Sequence, residues 1–153
     1  MSDTVKQNIV KPLFFIDSSN EHRSIWKNIV RRLDISDDYA THKKIHDDIS
    51  EQLRNRDQKV IDRWDVFPSE KKMFTLQISS ILKDNLDWPN HFFIPEDPFE
   101  LIFRDKYGDL SVEESAILIE KLIGRKIKDS IWHSFEDKNY SEVIDFLYKN
   151  KKA

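Results

Sequence analysis

The chain has 153 residues, of which 35% are charged and 39% apolar, and its net charge is -3. This length suits one domain, and four Trp, four Tyr and ten Phe residues predict a packed aromatic core rather than disorder. The absence of cysteine excludes disulfides, thiol catalysis and thiolate zinc sites, and the presence of only two glycines excludes glycine-rich phosphate loops.

Membrane and nucleic-acid binding are not expected either. No apolar run reaches the ~18–20 residues of a membrane span. The first residues lack the apolar core of a signal peptide. Acidic and basic residues are mixed along the chain, so neither half is a basic nucleic-acid footprint. We therefore expect a cytoplasmic protein.

Residues 1–68 predict an N-terminal helical extension. The apolar run at 10–16 is broken by Pro12, which indicates either a short edge strand or an extended segment packed on the body. A first helix is predicted from apolar residues that share one face: Trp26, Ile29, Val30 and Leu33. A second helix, over 39–64, has a narrow apolar stripe: Ile45, Ile49, Leu53, Val60 and Trp64. We expect the extension to pack onto the rest of the chain.

Residues 69–149 predict a bundle of helices. Ser69 is the expected N-cap of a helix whose apolar residues follow helical spacing: Phe74, Ile78, Ile81 and Leu82. An apolar loop follows this helix. Asp97 is the expected N-cap of a short helix that begins with Pro98.

The most apolar helix is predicted over 111–123. Ser111 and Glu114 fit a capping box, and Gly124 fits a C-terminal stop. Its apolar residues exceed one face, so we expect it to be covered on two sides: Val112, Ala116, Ile119 and Ile123 form one stripe, and Leu118 and Leu122 a second. A turn at 129–135 and a last helix over 140–149 complete the bundle, and 150–153 are expected to fray.

Two segments of this second half resemble acyl carrier proteins. The residues from Leu118 to Ile127 (LIEKLIGRKI) are similar to the central carrier helix, and those from Val143 to Leu147 (VIDFL) to the closing segment of the family. The resemblance covers 69–149 and leaves 1–68 outside it. It implies a mainly α fold, namely a four-helix carrier-like bundle behind an N-terminal helical extension.

The prosthetic-group position departs from the family pattern. Acyl carriers attach phosphopantetheine to the serine of an Asp-Ser-Leu triplet at the start of the central helix. The corresponding residues here are Gly108-Asp109-Leu110, which places Asp109 at the serine position. Because a carboxylate cannot carry that phosphodiester, the resemblance implies a carrier-like protein without a cofactor. The alternative is a genuine carrier modified at Ser111.

A further similarity carries no function. The stretch from Trp88 to Pro98 is similar to uncharacterised bacterial proteins, and nothing about an activity follows from it.

Three groups of residues could in principle support chemistry. His42 and His46 have the i, i+4 spacing of metal ligands, but a polar helix face is the favoured interpretation. Glu96 and Asp97 could act as acid and base, but the capping role explains Asp97. Aromatic residues of the loop could line a groove for an apolar ligand, although a core cover is favoured: Trp88, Phe92, Phe93, Phe99 and Phe103. We therefore predict no catalytic site, no metal site and no enzyme.

These features favour a non-catalytic protein-interaction module. Helix 111–123 and the preceding loop are the expected surface: Asp109, Glu113 and Glu114 would face a basic partner site, and Leu118 and Leu122 would supply apolar contact. The resemblance suggests an enzyme of the carrier's pathway as one partner. The alternative is a small immunity or inhibitor protein that blocks a toxin or nuclease.

Overall fold

The computed structural model describes residues 10–15, 39–106 and 110–152, and over these ranges the protein is mainly helical, as predicted. The predicted helix around Trp26 lies outside the described residues. No described helix is long and apolar enough to cross a membrane. In chain order the elements are α1 (Tyr39–Arg54), a first 3₁₀ helix (Gln58–Val66), α2 (Ser69–Leu86), α3 (Phe99–Ile102), α4 (Leu110–Ile123), α5 (Asp129–Ser134), a second 3₁₀ helix (Phe135–Asp137) and α6 (Tyr140–Lys149).

Residues 10–15 belong to neither a helix nor a strand. The Leu13 and Phe15 side chains are buried in the core. The Gln52 side chain takes the place of a neighbouring strand: its Oε1 accepts from the Phe14 amide at 3.2 Å, and its Nε2 donates to the Phe14 carbonyl at 2.7 Å. The predicted edge strand is therefore not formed by residues 10–15, which pack on the body through Leu13 and Phe15 while side chains satisfy backbone groups of the segment.

The predicted single helix over 39–64 is wrong. α1 ends at Arg54, and a separate 3₁₀ helix begins at Gln58. Asp57 causes the break, since its carboxylate accepts from the Lys59 amide at 2.8 Å and caps the second element. Val60 and Trp64 nevertheless remain buried, as the apolar stripe predicts.

The core is one cluster that draws on both sides of residue 68. α2 lies at its centre, because α4, α6 and the first 3₁₀ helix all pack against it. The earlier part of the chain contributes Leu13, Phe15, Ile45, Ile49, Leu53 and Trp64, and the later part contributes, among others, Phe74, Ile78, Leu82, Phe93, Ile119, Ile123, Tyr140 and Leu147. The described part of 1–68 and the helical bundle therefore share a single hydrophobic core.

The helix ends depart from the predicted caps. α2 has Pro68 at its N-cap, so Ser69 is the first helical residue and makes no cap bond. α3 likewise has Pro98 at its N-cap, because the Asp97 carboxylate is used elsewhere. Ser111 lies inside α4, one residue after Leu110, so the predicted capping box at Ser111 is wrong. A complete capping box instead begins α6, between Asn139 and Glu142.

The C-terminal stop of α4 is confirmed. Gly124 has a φ of 74°, a left-handed conformation that favours glycine, and its amide donates to the Glu120 carbonyl at 2.9 Å. Residues 150–152 are bound to the bundle rather than frayed, to α4 through Lys152 and to α6 through Asn150. The Lys152 amide donates to the Ile123 carbonyl at 2.8 Å, and the Asn150 side chain donates to the Phe146 carbonyl at 2.8 Å.

Candidate functional site

The helix α4 presents one continuous face to solvent. Its exposed residues follow the i, i+3, i+4, i+7, i+8, i+11 spacing of a single helix face: Leu110, Glu113, Glu114, Ile117, Leu118 and Lys121. We call this set the outer face. The opposite side packs against α2, where Ser115, Ile119 and Ile123 are buried.

Three large aliphatic side chains lie on the outer face. Leu110 is 70% exposed, Ile117 50% and Leu118 36%. Single exposed apolar residues are common on protein surfaces, whereas several of them along one helix face form a candidate contact surface. We expected α4 to be covered on two sides. Its inner side is buried by α2, whereas its outer side is accessible in the described part of the structure.

The charges of the outer face are divided along the helix. Glu113 and Glu114 lie near the start of α4, and Lys121 lies near its end, an order that the helix dipole favours. None of these three side chains has an ion-pair partner within 10–15, 39–106 or 110–152. Their charges are therefore available to a partner.

The structure brings together part of the predicted partner surface. Glu113, Glu114 and Leu118 share the outer face, whereas Leu122 is half-buried and packs against the core. Asp109 lies outside the described residues. Ser111 is half-buried in the first turn of α4, and its carbonyl accepts from the Ser115 hydroxyl at 2.7 Å.

Sequence reasoning missed Leu110 and Ile117 as members of this face. Neither of the two predicted apolar stripes contains Ile117, and the predicted helix over 111–123 leaves out Leu110. The spacing of these two residues by seven, with Glu113 and Glu114 between them, is the signal that could have revealed them.

A shallow groove continues the outer face towards the end of α4. Its volume is about 450 Å³, and its walls are formed by Ile117, Glu120, Lys121, Gly124, Arg125 and Lys126. A smaller groove of about 220 Å³ lies beyond it, between Ile127, Ile131 and Phe146. The end of α4 therefore offers a recess with several cations around it.

Comparisons with protein-family models, curated proteins and solved structures give no match. The acyl carrier resemblance therefore stays a prediction that rests on the quoted residues. The candidate site is argued from the geometry of this chain alone.

The prediction that His42 and His46 lie on a polar face of α1 is wrong. His42 and His46 are both buried. The His46 ring stacks on Trp88, with centroids 4.0 Å apart, and its Nε2 donates to the Leu86 carbonyl at 2.7 Å. The Ser50 hydroxyl faces Nδ1 at 3.4 Å, so both ring nitrogens of His46 are engaged. Within the described residues no group of three or more His, Cys, Asp or Glu side chains is placed to hold a metal ion.

The free energy of unfolding should decrease below about pH 6.5 because of His46. Burial lowers the pKa of His46 below its ordinary value of 6.5, although the bond to Leu86 acts in the opposite direction. The unfolded chain then binds more protons than the folded protein between that lowered pKa and 6.5, so stability is full above this window and is lost as the pH falls through it. Burial lowers the pKa of His91 as well, so it adds in the same direction.

Urea unfolding at about pH 7.5 and about pH 5.5 measures this dependence. We expect His46→Gln to reduce the difference in the free energy of unfolding between the two pH values, although it destabilises the protein at both. His133, whose side chain lies in solvent, provides the matched control His133→Gln. Equal pH dependence in His46→Gln and the parent protein would contradict the role of His46.

The Glu96 and Asp97 carboxylates are directed to different partners. Glu96 is exposed and pairs with Arg63 at the surface. Asp97 is fully buried, and its two oxygens accept two bonds of 2.7 Å from the Arg56 guanidinium, together with the amides of Leu13 at 2.9 Å and Ile94 at 2.8 Å. Four donors thus satisfy this carboxylate, and its role is structural rather than that of an N-cap.

The aromatic loop residues cover the core, as favoured. Trp88, Phe93 and Phe99 are buried, and Phe92 and Phe103 are half-buried. The Trp88 indole donates to the Ile102 carbonyl at 2.9 Å, and Phe99 lies 5.8 Å from Phe135 in an edge-to-face pair. None of these five rings lines either of the two grooves at the end of α4.

Proposed function

We propose that this protein is a non-catalytic, cytoplasmic protein-interaction module that recognises another protein through the outer face of α4. The observation that carries the proposal is the row of exposed aliphatic side chains at Leu110, Ile117 and Leu118, on a face whose charged residues have no ion-pair partner among the described residues. We further propose that the 69–149 bundle is carrier-like in fold and holds no prosthetic group.

The outer face has the parts that a recognition surface needs. Burying Ile117 and Leu118 against a partner removes apolar area from water, which is worth about 25 cal/mol per Å². Hot spots of this kind dominate affinity, whereas surrounding charges set orientation and association rate. Because Glu113 and Glu114 precede the apolar centre on α4, the partner site should have an apolar surface with cations at one end.

Replacing Leu118 with aspartate should weaken partner binding by about tenfold or more, because the new carboxylate would have to be desolvated at the centre of the contact. Met73 is the matched control, since it lies on α2 and is 66% exposed. Met73→Asp should bind as the parent protein does. Both substitutions are at accessible positions, so unfolding curves should stay close to that of the parent protein.

The experiment is affinity capture from the native host with the parent protein, Leu118→Asp and Met73→Asp, followed by titration of the captured partner. Equal binding by Leu118→Asp and the parent protein would contradict the proposal. The captured partner separates the alternatives, since a toxin or nuclease would make this an immunity protein. If the intact mass is raised by one phosphopantetheine, and the group is located on a peptide containing Ser111, the protein is a carrier instead.

A further inference from the structure

We propose that the partner of the outer face is a second copy of this chain, with the two α4 helices paired antiparallel about a two-fold axis at residues 117–118. This inference rests on the proposed function and names the partner of the same surface. The argument has three parts: the pattern of charge, the match of an exposed leucine to a shallow groove, and the position of the apolar centre.

The charges of two α4 helices are complementary when the helices run antiparallel. Glu113 and Glu114 precede the apolar pair Ile117 and Leu118, and Lys121 follows it at nearly the same spacing. An axis at 117–118 therefore places Glu114 of one copy opposite Lys121 of the second, and the same pair recurs on the other side of the axis. A contact in which each copy presents the same patch is isologous, so it closes as a dimer and does not extend into a filament.

The most exposed residue and the groove are placed symmetrically about the same axis. Leu110 projects from the start of α4 and is 70% exposed. The residues opposite it in the antiparallel arrangement are Gly124 and Arg125, which form part of the wall of the 450 Å³ groove. Each copy thus offers one exposed leucine and one shallow groove, and the pairing brings the leucine of each copy to the groove of the other.

The centre of the contact is apolar. Ile117 of one copy meets Leu118 of the other, and both side chains are accessible in the single chain. Antiparallel helices also oppose their dipoles favourably. One helix face is smaller than the ~800 Å² per partner of a standard interface, so we expect association that depends on protein concentration.

Charge exchange tests the pairing. Glu114→Lys and Lys121→Glu should each reduce dimerisation by about tenfold, because each places like charges opposite one another twice in the dimer. The double variant Glu114→Lys/Lys121→Glu should restore it, since it exchanges the two charges without removing the pair. Sedimentation equilibrium over a concentration series at low salt measures all four proteins. The proposal would be overturned if the double variant dimerised no more strongly than the single variants.

Disulfide trapping gives a second, independent readout, because the chain contains no cysteine. Leu118→Cys should form a covalent dimer on mild oxidation, because position 118 lies beside the axis. Val66→Cys is the matched control: it is 76% exposed but lies outside α4, and should cross-link only at the collisional rate. Equal cross-linking by the two variants would count against the pairing.

The failure of this inference is distinguishable from that of the proposed function. A parent protein that remains monomeric at every concentration would overturn the homodimer. The comparison of Leu118→Asp with Met73→Asp would still report on recognition of a different protein. If the parent protein is monomeric and Leu118→Asp no longer binds another protein, the proposed function is retained and the homodimer is rejected.

Discussion

Replacing Arg56 with methionine should lower the free energy of unfolding by about 3–5 kcal/mol, because the change leaves a buried carboxylate without its counter-charge. The Arg56 and Asp97 side chains are almost fully buried and share two bonds of 2.7 Å. The guanidinium also donates to the carbonyls of Lys11 at 3.0 Å and Phe92 at 2.8 Å. Its loss would therefore leave further backbone acceptors unsatisfied as well as the charge of Asp97.

Arg54→Met is the matched control for this prediction. Arg54 is two residues earlier, and its pair with Glu51 is exposed and 3.5 Å long. Exposed ion pairs contribute about 0–1 kcal/mol, so Arg54→Met should unfold close to the parent protein. Guanidinium denaturation followed by circular dichroism measures all three. Equal stability of Arg56→Met and Arg54→Met would contradict the predicted contribution of the buried ion pair to stability.

Replacing Trp64 with alanine should destabilise the protein by about 3–5 kcal/mol through loss of a large core side chain. Trp64 is almost fully buried, its indole N–H donates to the Phe93 carbonyl at 2.8 Å, and its ring lies edge-on to Tyr140 at 5.3 Å. These contacts join the first 68 residues to the bundle. The whole protein should therefore unfold in one transition at a lower denaturant concentration.

Val66→Ala is the control for the tryptophan substitution, because Val66 is in the same 3₁₀ helix and exposed. It should change stability by less than about 0.5 kcal/mol. Circular dichroism and the fluorescence of the three remaining tryptophans should report coincident transitions for Trp64→Ala. Two separate transitions would show that the first 68 residues and the bundle are independent units.

Periodicity was sufficient for the elements that are long and strongly patterned. The apolar spacing of α2 predicted a helix in which Phe74, Ile78 and Leu82 are indeed buried and Ile81 is half-buried, and the helix predicted over 140–149 is α6. The stop at Gly124 was also predictable, because a left-handed residue at a helix end favours glycine. These features depend on residues close together in sequence, which is why a local pattern predicts them.

The features that were missed depend on distant partners. Asp97 before Pro98 fits an N-cap locally, but the guanidinium that binds it comes from Arg56, 41 positions earlier. His46 lies beside Ile49 and Leu53 on one side of α1, so its burial could have been predicted from the helical period, whereas its partners, the Leu86 carbonyl and the Trp88 ring, are distant in sequence. On α4, both Ile117 and Leu122 are apolar, so the position of α2 decides that Leu122 packs inwards and Ile117 faces solvent.

The bond from the Leu13 amide to Asp97 sets an order of events during synthesis. The amide and the carboxylate are 84 residues apart, so a ribosome has made most of the chain before the donor of this bond can find its acceptor. Leu13 and Phe15 belong to the same core as Tyr140 and Leu147, which are synthesised later still. The native docking of this early apolar segment therefore cannot be completed before residue 97 has been synthesised, although Gln52 and Arg56, which also bind the segment, are made earlier.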